Sequence, residues 1–186
     1  GDRQRAEQAC SDAAGMIAYH QQRFGAYPYS QFNIAVNYLG YGGEQSSGMI
    51  FTDTRVFKLP GFLDRYFDFL IAHETGHQWF YNIIGSDEFS EMFVDEGLNS
   101  YWLLRYLEDK YGPQAQVMVL PAWLRPLIPG FTFRDSQAFR YFILARQNKD
   151  RPVIGKLSSF QEPSSIFALA YGKGAAILDM LDRLIG

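Results

Sequence analysis

Cysteine is nearly absent from this 186-residue chain, with Cys10 the only one. An intrachain disulfide is therefore excluded, and so is a zinc site built from cysteines. Histidine is almost as scarce, limited to His20, His73 and His77. No apolar run reaches the length of a membrane-spanning helix, and none at the start has the form of a signal-peptide core. There is no basic surplus either. A net charge of −3 argues against nucleic acid or an anionic membrane as a partner. Internal repeats and low-complexity segments are also missing.

Aromatic residues are plentiful, with 16 Phe, 12 Tyr and 3 Trp, against a charged content of 20%. That balance suits an extensive core, a surface that meets other protein, or both. The length allows one domain with a sizeable core. Residues 175–185 read as an amphipathic helix that runs up to the last residue, Gly186. The expectation is a segment of a longer protein, whose compartment is unknown.

Hydrophobic periodicity divides the chain into elements. Gln4–Phe24 has helix-forming composition and stops before Gly25. Phe32, Ile34, Val36 and Tyr38 alternate with polar or small residues, as a strand does. Gly40–Gly48 is Gly- and Ser-rich and is expected to be loop or an irregular edge. Met49–Thr52 is a second short strand, and Pro60-Gly61 closes the region. A helix is expected from Asp64, with Gly85 ending the run. A second covers roughly Asp95–Tyr111, before Gly112-Pro113. Helical patches follow near 114–120 and 134–147. Ser158–Ser165 reads as loop, and a last helix begins between Ile166 and Gly172. Short strands followed mostly by helices give an α+β domain with a small sheet packed on helices.

His73-Glu74-Thr75-Gly76-His77 falls inside the strongest helical pattern. Positions four apart on a helix differ by about 40° around its axis, so both imidazoles leave one face, one turn apart. That geometry lets two nitrogens share one tetrahedral zinc ion. Glu74 lies about 60° from His77 on the same wheel. It can reach the water that the metal would activate without serving as a ligand. A third ligand is needed, with a fourth position open, and Glu96 is the candidate. Residues 78–95 suffice to finish one helix, turn, and bring a second antiparallel beside it. Asp95 points about 100° away from Glu96 on an ideal helix. It reads as a cap or as a partner that orients a ligand imidazole. His20 reads as a surface or core-edge histidine without a catalytic role. Asp87, Glu88 and Glu91 read as a solvated acidic turn.

His73-Glu74-Thr75-Gly76-His77-Gln78-Trp79-Phe80, followed by Phe93-Val94-Asp95-Glu96-Gly97-Leu98, resembles the zinc signature of the membrane alanyl aminopeptidase family of gluzincin metallopeptidases, which includes the leukotriene hydrolases. The resemblance implies a thermolysin-like zinc peptidase domain with one zinc ion per chain. The implied ligands are His73, His77 and Glu96, and the implied general base is Glu74. A sheet lobe over about 1–62, a helical lobe over about 63–186 and an active site between them are expected. Tyr171-Gly172-Lys173-Gly174-Ala175 resembles the family's Y-x-K-G-A motif, whose tyrosine reaches the oxyanion of the tetrahedral intermediate. Tyr171 takes that role by resemblance.

Gly42-Gly43-Glu44-Gln45-Ser46-Ser47-Gly48-Met49-Ile50 lines up without a gap with a third family motif, whose glutamate binds the substrate's α-ammonium. Gln45 falls on that glutamate, and a one-residue slip would put Glu44 there. Glu44 or Gln45, with the Gly42-Gly43 backbone, is thus expected to hold the amino end of a peptide substrate. Asp150-Arg151-Pro152-Val153 also resembles a family segment and is assigned no chemistry. Further domains found in the family, at the N-terminal and in larger members the C-terminal side, do not match this chain. The implied activity is zinc-dependent removal of N-terminal residues from peptides. The alternatives are a related endopeptidase, an altered preference at the amino end because of Gln45, or a zinc-binding but inactive domain.

Overall fold

A computed structural model describes residues 2–185 apart from 129, 157, 159 and 161, with the backbone alone at 88 and 163. It is mixed α+β, as the patterning implies, and falls into two compact units. The first holds residues 1–83 and 116–130, and the second holds 84–115 and 131–186. Among the described residues no helix is long and apolar enough to cross a membrane.

The first unit contains helix α1 (Asp2–Phe24), strands β1 (Asn33–Asn37), β2 (Gly43–Ser46) and β3 (Met49–Asp53), a short helix α2 (Thr54–Phe57), and helix α3 (Asp64–Gly76). The sheet order is β1-β3-β2. β1 runs parallel to β3, with Ile34 opposite Ile50. β2 runs antiparallel to β3, with Gln45 opposite Ile50. The segment 40–48, expected as loop or an irregular edge, is therefore a regular edge strand over Gly43–Ser46. β2 is short and polar, so its strand state comes from pairing with β3 and not from intrinsic propensity. Gly48, at φ +71°, supplies the left-handed turn that reverses the chain.

Ala9 and Ala13 on α1, Phe67 and Ile71 on α3, and Ile50 on β3 share one buried cluster. The two alanines leave room for the larger α3 side chains, and full burial of Phe67 contributes about 1.5–3 kcal/mol. Arg5 ties α1 to the start of α3. Its guanidinium donates to Asp64 Oδ1 and to the Leu59 carbonyl, each at 2.7 Å, and lies over the Phe67 ring.

Helix α3 stops at Gly76, nine residues before the expected stop at Gly85. Gly76 is a poor helix former, and the His77 carbonyl is taken by Asn82, whose backbone N–H and Nδ2 both donate to it. His77 keeps right-handed helical angles as the cap residue. The four-residue spacing therefore still sets both imidazoles on one face.

The second unit is helical. It contains α4 (Glu88–Met92), a π-helical turn Phe93–Gly97, α5 (Leu98–Tyr111), α6 (Phe133–Arg146), α7 (Pro163–Ile166), a second π-helical turn Phe167–Lys173, and α8 (Gly174–Ile185). Arg134 on α6 joins α5 to α8. It donates to both Glu108 oxygens at 2.9 Å and pairs with Asp179 at 2.7 Å. Thr132 and Asp135 form a capping box at the start of α6.

Four local expectations change. The acidic turn is the start of α4, because the exposed Asp87 carboxylate accepts from the Phe89 N–H and caps a helix. The helix expected over 95–111 begins as the wider π-helical turn. The patch near 114–120 is not helical, and its backbone is tied instead to the segment before α3, Val119 N–H donating to the Phe62 carbonyl. Of the loop expected over 158–165, residues 159 and 161 lie outside the described ones, and 163–165 belong to α7.

Candidate metal centre

In the first unit, α3 delivers His73, Glu74 and His77 from a buried stretch. His73 Nε2 and His77 Nε2 lie 3.3 Å apart, with the rings perpendicular. His77 Nδ1 faces the Phe80 carbonyl at 3.1 Å. That carbonyl only accepts, so Nδ1 carries the proton and the Nε2 lone pair points toward His73. The His73 ring stacks along Phe69, which stacks along Tyr66, so its plane is set by aromatic packing.

This pair can be tested against zinc. Two Zn–N bonds of about 2.0–2.1 Å at a tetrahedral angle span about 3.4 Å between nitrogens. The observed 3.3 Å fits, and imidazole nitrogen is a ligand type that zinc takes.

Glu74 is held by strand β2. A Cβ placed on Gly43 would lie 2.8 Å from Glu74 Cγ and 2.9 Å from its Oε1. The carboxylate thus rests directly on the Gly43 backbone. Side chains alternate along a strand, so Gln45 shares the inward face of β2 with Gly43, and both are half-buried. Glu44 turns to the exposed face, where it accepts from the Tyr41 hydroxyl at 2.7 Å. That bond holds the Tyr41 phenol above its ordinary range. Between the two residues left open by the sequence, Gln45 is the one on the Glu74 side. Gly42 has only the Leu70 side chain near its position, at 3.4 Å.

His20 is not at the surface or the core edge. It is fully buried, boxed by the ring edges of Phe24, Trp79 and Phe80. Burial first, and then the charge of Arg23, push its pKa down to about 3. A helix with many alanines gave no sign that this position faces an aromatic cluster.

The second unit carries Glu96 and Tyr171, each on a π-helical turn. The Tyr171 hydroxyl donates to Glu96 Oε1. The turns approach closely because of glycine. A Cβ on Gly97 would meet the Phe93 ring at 2.7 Å and the Ala170 carbonyl at 3.1 Å, and one on Gly174 would lie 3.1 Å from Gly97 Cα. π-Helical turns often mark functional sites. Asp95 is buried on the first of them. Lys173 donates to Asp150 Oδ1 at 2.7 Å and to the Arg151 carbonyl at 2.8 Å, which lowers the Asp150 pKa. The Asp150–Val153 segment, given no chemistry from sequence, thus anchors the end of the Tyr171 turn.

The sequence pattern assigns no role of their own to two residues, Gln78 and Asn82. Gln78 sits in the matched motif beside His77, which was the available signal. Its partners lie more than 29 residues earlier, so its role was not legible.

Paired imidazoles four residues apart on one helix, with the carboxylate that follows the first packed on a strand, define the class of HExxH metallopeptidases. Residues 9–186 match the Peptidase family M1 domain, and the chain belongs to that family. It is similar to aminopeptidase 2, mitochondrial, of Saccharomyces cerevisiae, at 24% identity over all of this chain and 19% of that protein. It is also similar to aminopeptidase N of Canis lupus familiaris, at 27% identity over 62% of this chain and 11% of the relative. Among solved structures, an M1 zinc metallopeptidase from Deinococcus radiodurans covers 94% of this chain with a TM-score of 0.64 and 18% identity, this chain spanning 33% of it. Yeast LTA4 hydrolase in complex with bestatin gives a TM-score of 0.63 at 20% identity, covering 95% of this chain and 26% of its own. The fold is that of M1 zinc peptidases. The chain spans 10–19% of the length of the curated relatives it matches.

Proposed function

We propose that this domain hydrolyses peptide bonds with one zinc ion, and that the protein carrying it removes residues from the amino end of peptides. The observation that carries the proposal is the 3.3 Å approach of His73 Nε2 to His77 Nε2, with Glu74 of the same helix resting on the Gly43 backbone. His73, His77 and Glu96 would hold the metal. The support for Glu96 is its place in the second signature, its acidic chemistry and its distance from His77 in sequence. Bound zinc would act as a Lewis acid that lowers the pKa of water toward neutrality and polarises the scissile carbonyl.

Glu74 takes a proton from the attacking water and passes it to the leaving amine. Tyr171 stabilises the oxyanion, its O–H exchanging Glu96 Oε1 for the developing negative charge. Asp95 serves as a cap or an orienting partner near Glu96. Gln45, with the Gly42-Gly43 backbone, receives the amino end of the peptide. Glu44, turned away and bonded to Tyr41, takes no part.

A second reading is favoured by the inward position of Gln45. An amide offers an acceptor without charge, and charge-assisted hydrogen bonds are roughly twice as strong as neutral ones. A site so built discriminates weakly for a free ammonium and admits blocked or internal peptides. One peptide, compared with its N-acetylated form, separates the readings. Faster cleavage of the free form, at one zinc per chain, is the expected result. Faster cleavage of the acetylated form replaces the aminopeptidase reading with the second. Zinc binding without hydrolysis of either form contradicts both.

A further inference from the structure

The tip of the β2–β3 hairpin is gripped by residues that follow His77 directly. Gln78 is fully buried. Its Nε2 donates to the Ser46 carbonyl and its Oε1 accepts from the Gly48 N–H, both at 2.8 Å. A second tie runs outside the first. The Ser47 hydroxyl donates to Asn82 Oδ1 at 2.9 Å, and Asn82 Nδ2 donates to the His77 carbonyl at 2.9 Å. The other end of β2 rests on Glu74 through Gly43. The strand is thus fixed against the end of α3 at both ends, and Gln45 lies between them.

We propose that Gln78 is a positioning residue for substrate: its two-bond clamp on Ser46 and Gly48 sets how deep strand β2 lies against the end of α3, and so where Gln45 meets the peptide. The inference rests on the peptidase reading above. The clamp uses an amide's donor and acceptor on two backbone groups that flank Ser47, which no carboxylate or apolar side chain reproduces. The bond to Gly48 is buried and the bond to Ser46 partly so, and a buried group that loses its partner keeps its desolvation cost. Without the clamp, the Ser46 carbonyl and Gly48 N–H turn to water and the tip moves outward. The Gln78 amide bonds the Ser46 carbonyl and the Gly48 N–H, not a ring nitrogen of His73 or His77, so its effect falls on binding more than on the chemical step.

Gln78→Met keeps the length and packing and removes both bonds. The measurements are made on the zinc-loaded protein at a temperature where the variant is folded. The expected results are zinc content unchanged, Gly48 amide exchange at least tenfold faster, and a KM for the free peptide raised about tenfold with kcat within threefold. The calorimetric Kd of the same peptide for the Glu74→Gln protein, with and without Gln78→Met, should rise by the same factor. A merely structural role would lower apparent kcat with the folded fraction and leave KM and Kd unmoved, and that result overturns the proposal. If Gln78→Met does not fold, Gln78→Asn carries the test: the shorter amide cannot reach both backbone groups, KM is expected to rise severalfold, and an unchanged KM overturns the proposal. A wild-type protein that neither cleaves nor binds the peptide overturns the peptidase reading and this inference with it. Normal wild-type binding with an unmoved Kd in the variant overturns this inference alone.

Discussion

His77 Nε2 stands 3.3 Å from His73 Nε2, and a main-chain carbonyl, that of Phe80, holds the opposite side of the His77 ring. The local fold therefore sets the tautomer of His77, through a turn that begins where α3 ends. Two ring nitrogens aimed at one point are costly neighbours without a shared proton or cation between them. The arrangement suits a metal, and the early end of α3 is part of how it is made. An uninterrupted helix through residue 85 would bind the Phe80 carbonyl within its own ladder and turn it from His77.

Gly43 has no room for a side chain, because the Glu74 carboxylate occupies the space a Cβ would take. Gly43→Ala must push Glu74 aside, which misplaces the proposed base while leaving both histidines untouched. The expected outcome is full zinc content with kcat lowered at least tenfold. Gly42→Ala is the control. Its Cβ meets only the Leu70 side chain at 3.4 Å, and kcat should stay within threefold of wild type. Zinc analysis and steady-state kinetics of the two variants provide the check.

Tyr171 offers one O–H, now given to Glu96. Tyr171→Phe removes that donor and little volume. Loss of a donor to an oxyanion lowers kcat by about 10²–10³-fold. The expected result is such a loss with KM and zinc content nearly unchanged. Single-turnover rates of the wild type and the variant would measure it.

His20 gives the fold a pH dependence of its own. Its pKa in the folded chain is about 3, against 6.5 for an ordinary histidine. Between those values the unfolded chain binds a proton that the folded chain refuses. Stability is therefore full above pH 6.5 and declines as pH falls toward 3, by up to about 1.4 kcal/mol per pH unit. His20→Leu removes this term. The urea midpoint of the wild type should fall more steeply than that of the variant as pH goes from 7 to 4.

Much of this was legible in the sequence, for identifiable reasons. The His73–His77 spacing follows from helical periodicity alone, and α1, β1, β3 and α5 carry clear periodic or punctuating signals. Strand β2 does not, because Gly43-Glu44-Gln45-Ser46 is polar and becomes a strand only by pairing with Met49–Thr52. The end of α3 was hidden for a similar reason. Apolar residues Trp79 and Ile83 continue the helical spacing, while Asn82 stops the helix by capturing a carbonyl. His20 was misplaced because burial among aromatic rings depends on Trp79 and Phe80, nearly 60 residues away. Glu44 and Gln45 could not be separated without the register against β3.

Glu74 is the proposed base of a zinc-dependent hydrolysis. The most direct measurement is the single-turnover rate of peptide cleavage by Glu74→Gln, with zinc content determined on the same sample. An amide keeps the volume over Gly43 and cannot take the proton. The account predicts one zinc per chain and a rate lowered by about 10²–10⁴-fold, the usual worth of a general base. Zinc at one per chain with undiminished cleavage would contradict it.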